Sequence, residues 1–247
     1  MAFHDSHRQL RGWLTTVGGL AVVLIFGLAG LAWMAYRHIP AWYRPSYVPS
    51  EDEQDARDEL GAAFTELSRG MGQGRPFDFV VRQDELNRWL VARDRIWPAS
   101  KRWIPEQIAD PMIAFRKDEV LLAGTWQGPG PRTVVNIRLR LEMTDETLRA
   151  NVLSVRGGSL PIPLGPVKRH IARLENDRAG RKRPLLPDGT SIVQAIEGSP
   201  LPREIPWSQP RGKFRIEGLE VRPGELQVHL LPTGKEASGS PRGGGLR

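Results

Sequence analysis

The sequence predicts an α+β protein with an N-terminal transmembrane helix and one domain, in which two or three helices pack on a curved antiparallel β-sheet. Three observations support this fold class. A long apolar segment without charged residues lies near the start of the chain. Two amphipathic segments with helical period follow it, and from about residue 112 the apolar residues alternate with polar ones, as in half-buried strands.

The apolar segment, residues 13–36, is long enough to span a bilayer. No charged residue lies between Arg11 and Arg37. About 24 helical residues reach roughly 36 Å, compared with a hydrocarbon core of about 30 Å. Trp13 at one end and several aromatic residues at the other are typical of the two headgroup layers. A signal peptide cleaved near Ala32 is the alternative, but its apolar region is ordinarily about 7–15 residues, so we favour an anchor.

The orientation of this anchor is weakly determined by charge. Arg8 and Arg11 precede it, and Arg37 and Arg44 follow it, so the excess of positive charge is nearly equal on the two sides. Because short N-terminal tails usually remain inside, we expect a cytoplasmic N-terminus and an extracytoplasmic C-terminal domain. The predicted regions are a short tail at 1–12, an interfacial and acidic stalk at 37–53, the α+β domain at 54–231, and a disordered tail at 232–247.

The domain is predicted to begin with two helices and to continue with short strands. Leu60, Phe64 and Leu67 form one apolar stripe at residues 54–69, and Leu86, Trp89 and Leu90 form another at residues 84–95. A strand at 76–81 separates the two helices. Further strands are expected at 112–115, 120–126, 132–143 and 147–155, and a final hairpin at 213–221 and 225–231 turns at Pro223 and Gly224.

The strand at 132–143 has the strictest alternation. Its odd-numbered residues from Val135 to Met143 are apolar, and Asn136, Arg138, Arg140 and Glu142 lie between them. This pattern predicts one buried and one wet face, in an antiparallel meander with the neighbouring strands.

Charge is distributed unevenly along the chain. The formal net charge is +7, and an acidic segment at 51–59 leaves the remainder more basic than this total. A basic helix is predicted from about residue 167 to 178, and four of its residues are candidates for contact with an anionic surface: Lys168, Arg169, Arg173 and Arg178. A solvated helix face is the alternative. Because the aromatic residues form no stacking platform, we expect no nucleic-acid partner.

Sequence signatures of catalysis are absent. The chain has no cysteine, and it contains no HExxH, GxSxG, P-loop, GxGxxG or EF-hand pattern. His170 and His229 stand alone in the domain, and Asp84 and Glu85 suit the positive end of a helix. We therefore predict no enzyme, no cofactor and no metal site, with a hydrolase as the remote alternative.

Three groups of apolar residues are candidates for contact with a lipid-like ligand, although each could instead belong to the core. The first is the helical stripe, the second lies on the alternating strand, and the third alternates with Pro161 and Pro163, which exclude a central strand. The three groups are Leu86, Trp89 and Leu90; Ile137 and Leu139; and Leu160, Ile162 and Leu164.

Two segments of the chain carry a resemblance to known families. FDFVVRQDELNRWL at 77–90 and GGSLPIPLGPV at 157–167 resemble bacterial single-pass envelope proteins of the YpmS-like and LmeA-like families. The resemblance covers about residues 76–170. It implies an extracytoplasmic α+β domain and suspected phospholipid binding. The aromatic stalk and the basic helix depart from the families' pattern.

The first functional hypothesis is therefore a membrane-anchored envelope protein whose domain binds or shields a lipid-like apolar ligand. The alternative is a non-enzymatic structural or interaction module that recruits a partner or an anionic surface through the basic helix. Either protein would have the membrane as its principal partner, with phospholipid or another envelope protein as a further one.

Overall fold

A computed structural model describes residues 5–96, 104, 107–165, 198–208 and 211–233, with side chains for all of these except 5–19, 21, 50, 206–208 and 211–212. These residues form three α-helices and ten strands. The helices are α1 Asp5–Arg37, α2 Glu53–Gln73 and α3 Gln83–Ile96. The strands are β1 Phe77–Arg82, β2 Ile108–Arg116, β3 Glu119–Trp126, β4 Thr133–Met143, β5 Thr147–Gly157, β6 Leu160–Ile162, β7 Leu201–Pro202, β8 Glu204–Ser208, β9 Arg211–Arg222 and β10 Glu225–Thr233.

The α+β class is confirmed, but the prediction of one sheet is wrong. A central sheet has the strand order β2-β3-β4-β5-β6, with β7 beside β5, and a terminal sheet has the order β1-β10-β9-β8. All pairs are antiparallel. The final hairpin forms a second sheet because β1, from far earlier in the chain, pairs with β10. Periodicity identified these strands but carried no information about that distant partner.

The core consists of three apolar clusters that follow one another along β4. Val134, at its start, belongs to a cluster with Tyr43, Met112 and Ala123. Leu139 lies further along the strand, in a cluster with Phe115, Val120 and Val221 of β9. Met143, at its end, packs against a cluster of Met71, Phe214, Ile216 and Leu230. The terminal sheet therefore packs on the half of the central sheet that lies towards the end of β4.

The prediction that one face of β4 is wet is wrong for the first part of the strand. Val134 and Asn136 lie on that face, and both are buried. Arg138 on the same face is half-buried and binds Glu119 through two nitrogens, with Nη2 2.7 Å from Oε2. The face is covered because the predicted stalk folds back over it, and Tyr43 and Val48 of that segment are buried.

The acidic segment is partly neutralised by α3. The guanidinium of Arg88 donates two hydrogen bonds of 3.1 Å to the carboxylate of Glu59, and Arg95 forms an ion pair with Glu53. Because these pairs are partly exposed, each contributes on the order of 1 kcal/mol or less. Their main effect is to align α2 with α3.

Helix α3 covers the free edge of β2 with side-chain amides. Asn87 is 4% exposed; its Nδ2 donates to the carbonyl of Ile113, and its Oδ1 accepts from the N–H of Ile113, both at 2.8 Å. One turn earlier, Gln83 Oε1 accepts from the N–H of Phe115 at 2.8 Å. Two residues spaced i, i+4 on the helix thus provide hydrogen-bond partners for backbone groups of Ile113 and Phe115, alternate residues of the strand. These bonds prevent a further strand from pairing at this edge.

Several predictions concern other parts of the chain. The basic helix with Lys168, Arg169, Arg173 and Arg178 and most of the tail, 234–247, lie outside the described residues. Strand β10 continues to Thr233, two residues into the segment predicted to be disordered. Among the residues whose side chains the structure describes, which in α1 begin at Leu20, no helix has both the length and the apolar character required to cross a membrane.

The edge cap gives a prediction about stability. Asn87→Ala leaves the N–H and C=O of Ile113 without their partners in a buried position, so we expect a loss of about 2–3 kcal/mol in the free energy of unfolding. Denaturant titration followed by circular dichroism measures this loss. Asp94→Ala, on the exposed side of the same helix, is the control and should change stability by less than about 0.5 kcal/mol. Equal stability of the two variants would contradict the cap.

Candidate functional site

The C-terminal end of α1 is docked on one end of the central sheet. The last carbonyls of a helix have no partner within the helix and need donors from elsewhere. The carbonyl of Ala35 accepts a hydrogen bond of 2.8 Å from the N–H of Ser159, in the turn between β5 and β6. The carbonyl of Tyr36 accepts one of 2.5 Å from the hydroxyl of Thr133, at the start of β4. The sheet thus caps the helix.

Gly158 makes this close approach of helix and sheet possible. Its φ is +60°, in the left-handed region that favours glycine. A Cβ at this position would lie 2.3 Å from the carbonyl oxygen of Tyr36 and 2.5 Å from that of Ala35. Both the backbone angle and the contact exclude a side chain. At the adjacent Gly157, a Cβ would be 3.2 Å from Tyr36 Cε2, so the tyrosine ring also lies against the turn.

A buried asparagine holds the turn in place. Asn136 is 5% exposed, and its Nδ2 donates to the carbonyl of Gly158 at 3.2 Å. The N–H of Gly158 donates to the carbonyl of Val134 at 2.8 Å. The turn that caps α1 is therefore tied through both backbone groups of Gly158 to β4.

After α1 the chain forms a strap, residues 38–49. The strap crosses to the face of the central sheet opposite the one on which the terminal sheet packs. Tyr43 anchors this strap: its ring packs on Met112, Ala123 and Val134. Its hydroxyl donates to the carbonyl of Asp110 at 2.8 Å and shares a hydrogen bond of 3.0 Å with the hydroxyl of Thr125. Burial raises the pKa of Tyr43, and the negative charge of Asp110 adds to the increase, whereas the hydrogen bonds with Thr125 oppose it.

Further contacts hold the strap beside β2. The ring of Trp42 meets Tyr43 edge to face at 6.3 Å, and the guanidinium of Arg116 lies 5.9 Å from its centroid. The N–H of Arg44 contacts Met112 Sδ at 3.3 Å. By contrast, Tyr47 is 86% exposed. The aromatic residues of the predicted stalk thus divide between sheet packing and solvent.

The proline-rich segment after the turn lies next to the end of α1. We call Leu160, Ile162 and Leu164 the lip. Leu160 and Ile162 belong to β6, the edge strand of the central sheet, where Leu160 pairs with Gly157 and Ile162 with Val155. The lip side chains are half-buried, while Pro161 and Pro163 are exposed. The edge position predicted from the prolines is confirmed, and the neighbouring helix end could not be predicted from them.

The other candidate ligand residues lie elsewhere. Leu86, Ile137 and Leu139 come together in the middle cluster of the core, where residues of the terminal sheet pack against them. Trp89 and Leu90 are half-buried on α3, and the indole nitrogen of Trp89 has no hydrogen-bond partner among the described residues. The structure therefore separates the predicted ligand residues into a packed interior group, a half-buried pair on α3 and the lip.

Sequence reasoning missed the residues that join helix and sheet: Thr133, Asn136, Gly157, Gly158 and Ser159. The paired glycines before a proline-alternating segment were the available signal. Asn136 was assigned to the wet face. No family model, curated protein or solved structure matches the chain.

Substitution of Gly158 should undock the helix. In Gly158→Ala the new Cβ meets two carbonyl oxygens and the backbone is strained, so we expect a loss of about 2–3 kcal/mol and faster tryptic cleavage after Arg37. Gly74→Ala is the matched control, because Gly74 has a φ of +66° and no atom within 4 Å of its Cβ position. It should cost about 1 kcal/mol and leave the cleavage rate at Arg37 unchanged. Equal cleavage in both variants would refute the docking.

The hydroxyl of Tyr43 should contribute to stability below about pH 10. Tyr43→Phe removes two hydrogen bonds and should lower the free energy of unfolding by about 1–2 kcal/mol at neutral pH, whereas Tyr47→Phe should have little effect. Because the folded-state pKa is raised, stability falls as pH rises above the tyrosine value of about 10, through the folded pKa. Chemical denaturation between pH 8 and 11 should show that Tyr43→Phe reduces this alkaline loss of stability. If the free energy of unfolding fell equally with pH in both proteins, the proposed role of the Tyr43 hydroxyl would be wrong.

Proposed function

We propose that the protein is a single-pass membrane protein whose α+β domain lies against the bilayer and contacts a lipid-like apolar ligand there through the lip. The position of the lip beside the C-terminal end of α1 is the observation that carries this proposal. Since Gly157 lies between Tyr36 and Ile162, with both side chains within 3.5 Å of its Cβ position, helix end and lip form one surface.

The proposal that α1 is an anchor rests on its sequence and on its exposed side chains. Residues 13–36 carry no charge. From Leu20 to Met34 the large apolar side chains of α1 are more than half exposed, as for Phe26 at 74%. A long helix whose large apolar side chains are exposed on every side is expected in a bilayer and not in water.

The direction of β4 then gives the domain a membrane-proximal and a membrane-distal end. Thr133 at its start touches α1, and Met143 at its end is about 34 Å away for an extended strand. Trp126 pairs with Thr133, so it lies at the proximal end with Trp33 and Tyr36. The exposed Arg37 and Arg132 are near the same level, which suits a headgroup layer with aromatic rings and anionic phosphates.

The lip is the part of this end that suits an acyl chain. Its prolines remove backbone donors from the strand edge, so a hydrocarbon environment leaves fewer N–H groups without a partner. The interior group around Leu139 is already packed against the terminal sheet. We therefore assign the lipid contact to the lip. An extracytoplasmic location, and kinship with the families named above, remain predictions from the sequence.

Photo-crosslinking tests the lipid contact. A photoreactive amino acid in place of Leu160 or Leu164, in full-length protein in native membranes, should yield covalent lipid adducts detectable by mass spectrometry. The same residue in place of Glu146, an exposed position in the turn at the distal end of β4, is the control and should yield about tenfold fewer. Equal adduct yields would contradict the proposed contact. Release of the whole chain by alkaline carbonate would separately contradict the anchor.

A further inference from the structure

The outer edge of β1 is open to another strand. In the described part of the chain β1 lies at the end of the terminal sheet and pairs with β10 alone. Val80, in the middle of β1, is 40% exposed. Exposed edges of this kind are templates for pairing with a further chain.

The ladder with β10 determines which residues of β1 present backbone groups to this edge. The N–H of Gln83 donates to the carbonyl of Gly224 at 2.8 Å, one residue beyond the paired Arg82 and Glu225. Hydrogen-bonded and non-hydrogen-bonded pairs alternate along an antiparallel ladder. The backbone groups of Phe77, Phe79 and Val81 therefore face β10. Those of Asp78, Val80 and Arg82 face outward.

The edges of β2, β6 and β8 are blocked. The amides of Gln83 and Asn87 occupy the edge of β2. Strand β6 contains Pro161, and β8 contains Pro206, and neither proline can donate to a new strand. Strand β1 contains no proline, and no side chain of the described residues caps it in this way.

Charges on an edge strand ordinarily discourage pairing, but those of β1 are complementary to each other. Asp78 and Arg82 are on the same face of the strand, two residues on either side of Val80. In an antiparallel pair of two copies centred on Val80, each Asp78 lies opposite the Arg82 of the other copy, and the two Val80 residues lie opposite each other. The same three residues carry the outward backbone groups, so this register forms about six hydrogen bonds.

We propose that β1 is the interface of a two-fold symmetric dimer of this chain, in which two terminal sheets join edge to edge through Asp78, Val80 and Arg82. A shift of two residues removes about two of the hydrogen bonds and both ion pairs, and a parallel in-register pair places like charges together. Self-complementarity in one register distinguishes a second copy from any other strand as the occupant.

Asp78 and Arg82 have partners within the same chain, but both remain exposed enough to form ion pairs across the proposed interface. Asp78 Oδ1 is 2.7 Å from His229 Nδ1, and Arg82 Nη1 is 3.1 Å from Glu85 Oε1. The side chains of Asp78 and Arg82 are still 50% and 66% exposed. Each can therefore accept a second partner across the interface, as carboxylates and guanidinium groups commonly do.

Charge exchange tests the register directly. In full-length protein in mild detergent, Asp78→Lys and Arg82→Glu should each place like charges opposite each other and halve the protein mass measured by sedimentation. The double variant Asp78→Lys, Arg82→Glu should restore the dimer. A mixture of the two single variants should also form dimers, because every cross-strand pair is then of opposite sign. Monomeric wild-type protein, or single variants with wild-type mass, would overturn the proposal.

Cross-linking provides a second readout that does not depend on these charges. Since the chain has no cysteine, Val80→Cys introduces a single thiol, and mild oxidation should give a band at about twice 27.7 kDa. Gln227→Cys is the matched control. Gln227 pairs with Val80 one strand further in, so two such thiols would be about 14 Å apart and should not cross-link. Equal cross-linking of the two variants, or no cross-linking of Val80→Cys, would also overturn the proposal.

Discussion

The structure depends on how the last carbonyls of α1 are satisfied. A helix end buried without donors is unfavourable, and here the donors are the N–H of Ser159 and the hydroxyl of Thr133. Both belong to the central sheet, so the helix ends on the domain and not in a flexible stalk. Gly158 permits the approach, and Asn136 holds the turn through its carbonyl. The orientation of helix and domain is therefore fixed by a small number of polar contacts.

This junction relates the remaining features to one another. The strap starts where the helix ends, so Tyr43 reaches the face of the central sheet that β4 alone would leave wet. The lip lies beside the same helix end because β6 follows directly from the capping turn. At the other end of β4, residues of the terminal sheet pack against Met143. Strand β1 is the edge strand of that sheet, away from the helix end and from the lip. The proposed lipid surface and the proposed dimer edge are thus formed by different sheets.

Local patterns predicted most of the secondary structure and little of its assembly. The helices of the domain, the meander from β2 to β5 and the final hairpin follow from periodicity and turn residues, which act within a few residues of each other. The partnership of β1 with β10 joins residues such as Asp78 and His229, which are 151 positions apart. Likewise, Asn136 sits in a polar row of its strand, yet it is buried and its side chain donates to the carbonyl of Gly158, 22 positions away. Periodicity describes a strand, whereas long-range contacts decide what covers it.

The rigidity of the junction between helix and domain can be measured directly as a distance. Spin labels can be attached to cysteines introduced in place of Met34, on the exposed side of α1, and Glu142, on the exposed side of β4. Pulsed electron paramagnetic resonance in lipid nanodiscs would then measure the distance between the two labels. Because the chain has no other cysteine, both labels are specific. We expect one narrow distance distribution, which becomes broad in Gly158→Ala. A broad distribution in the protein without that substitution would contradict the docked helix end.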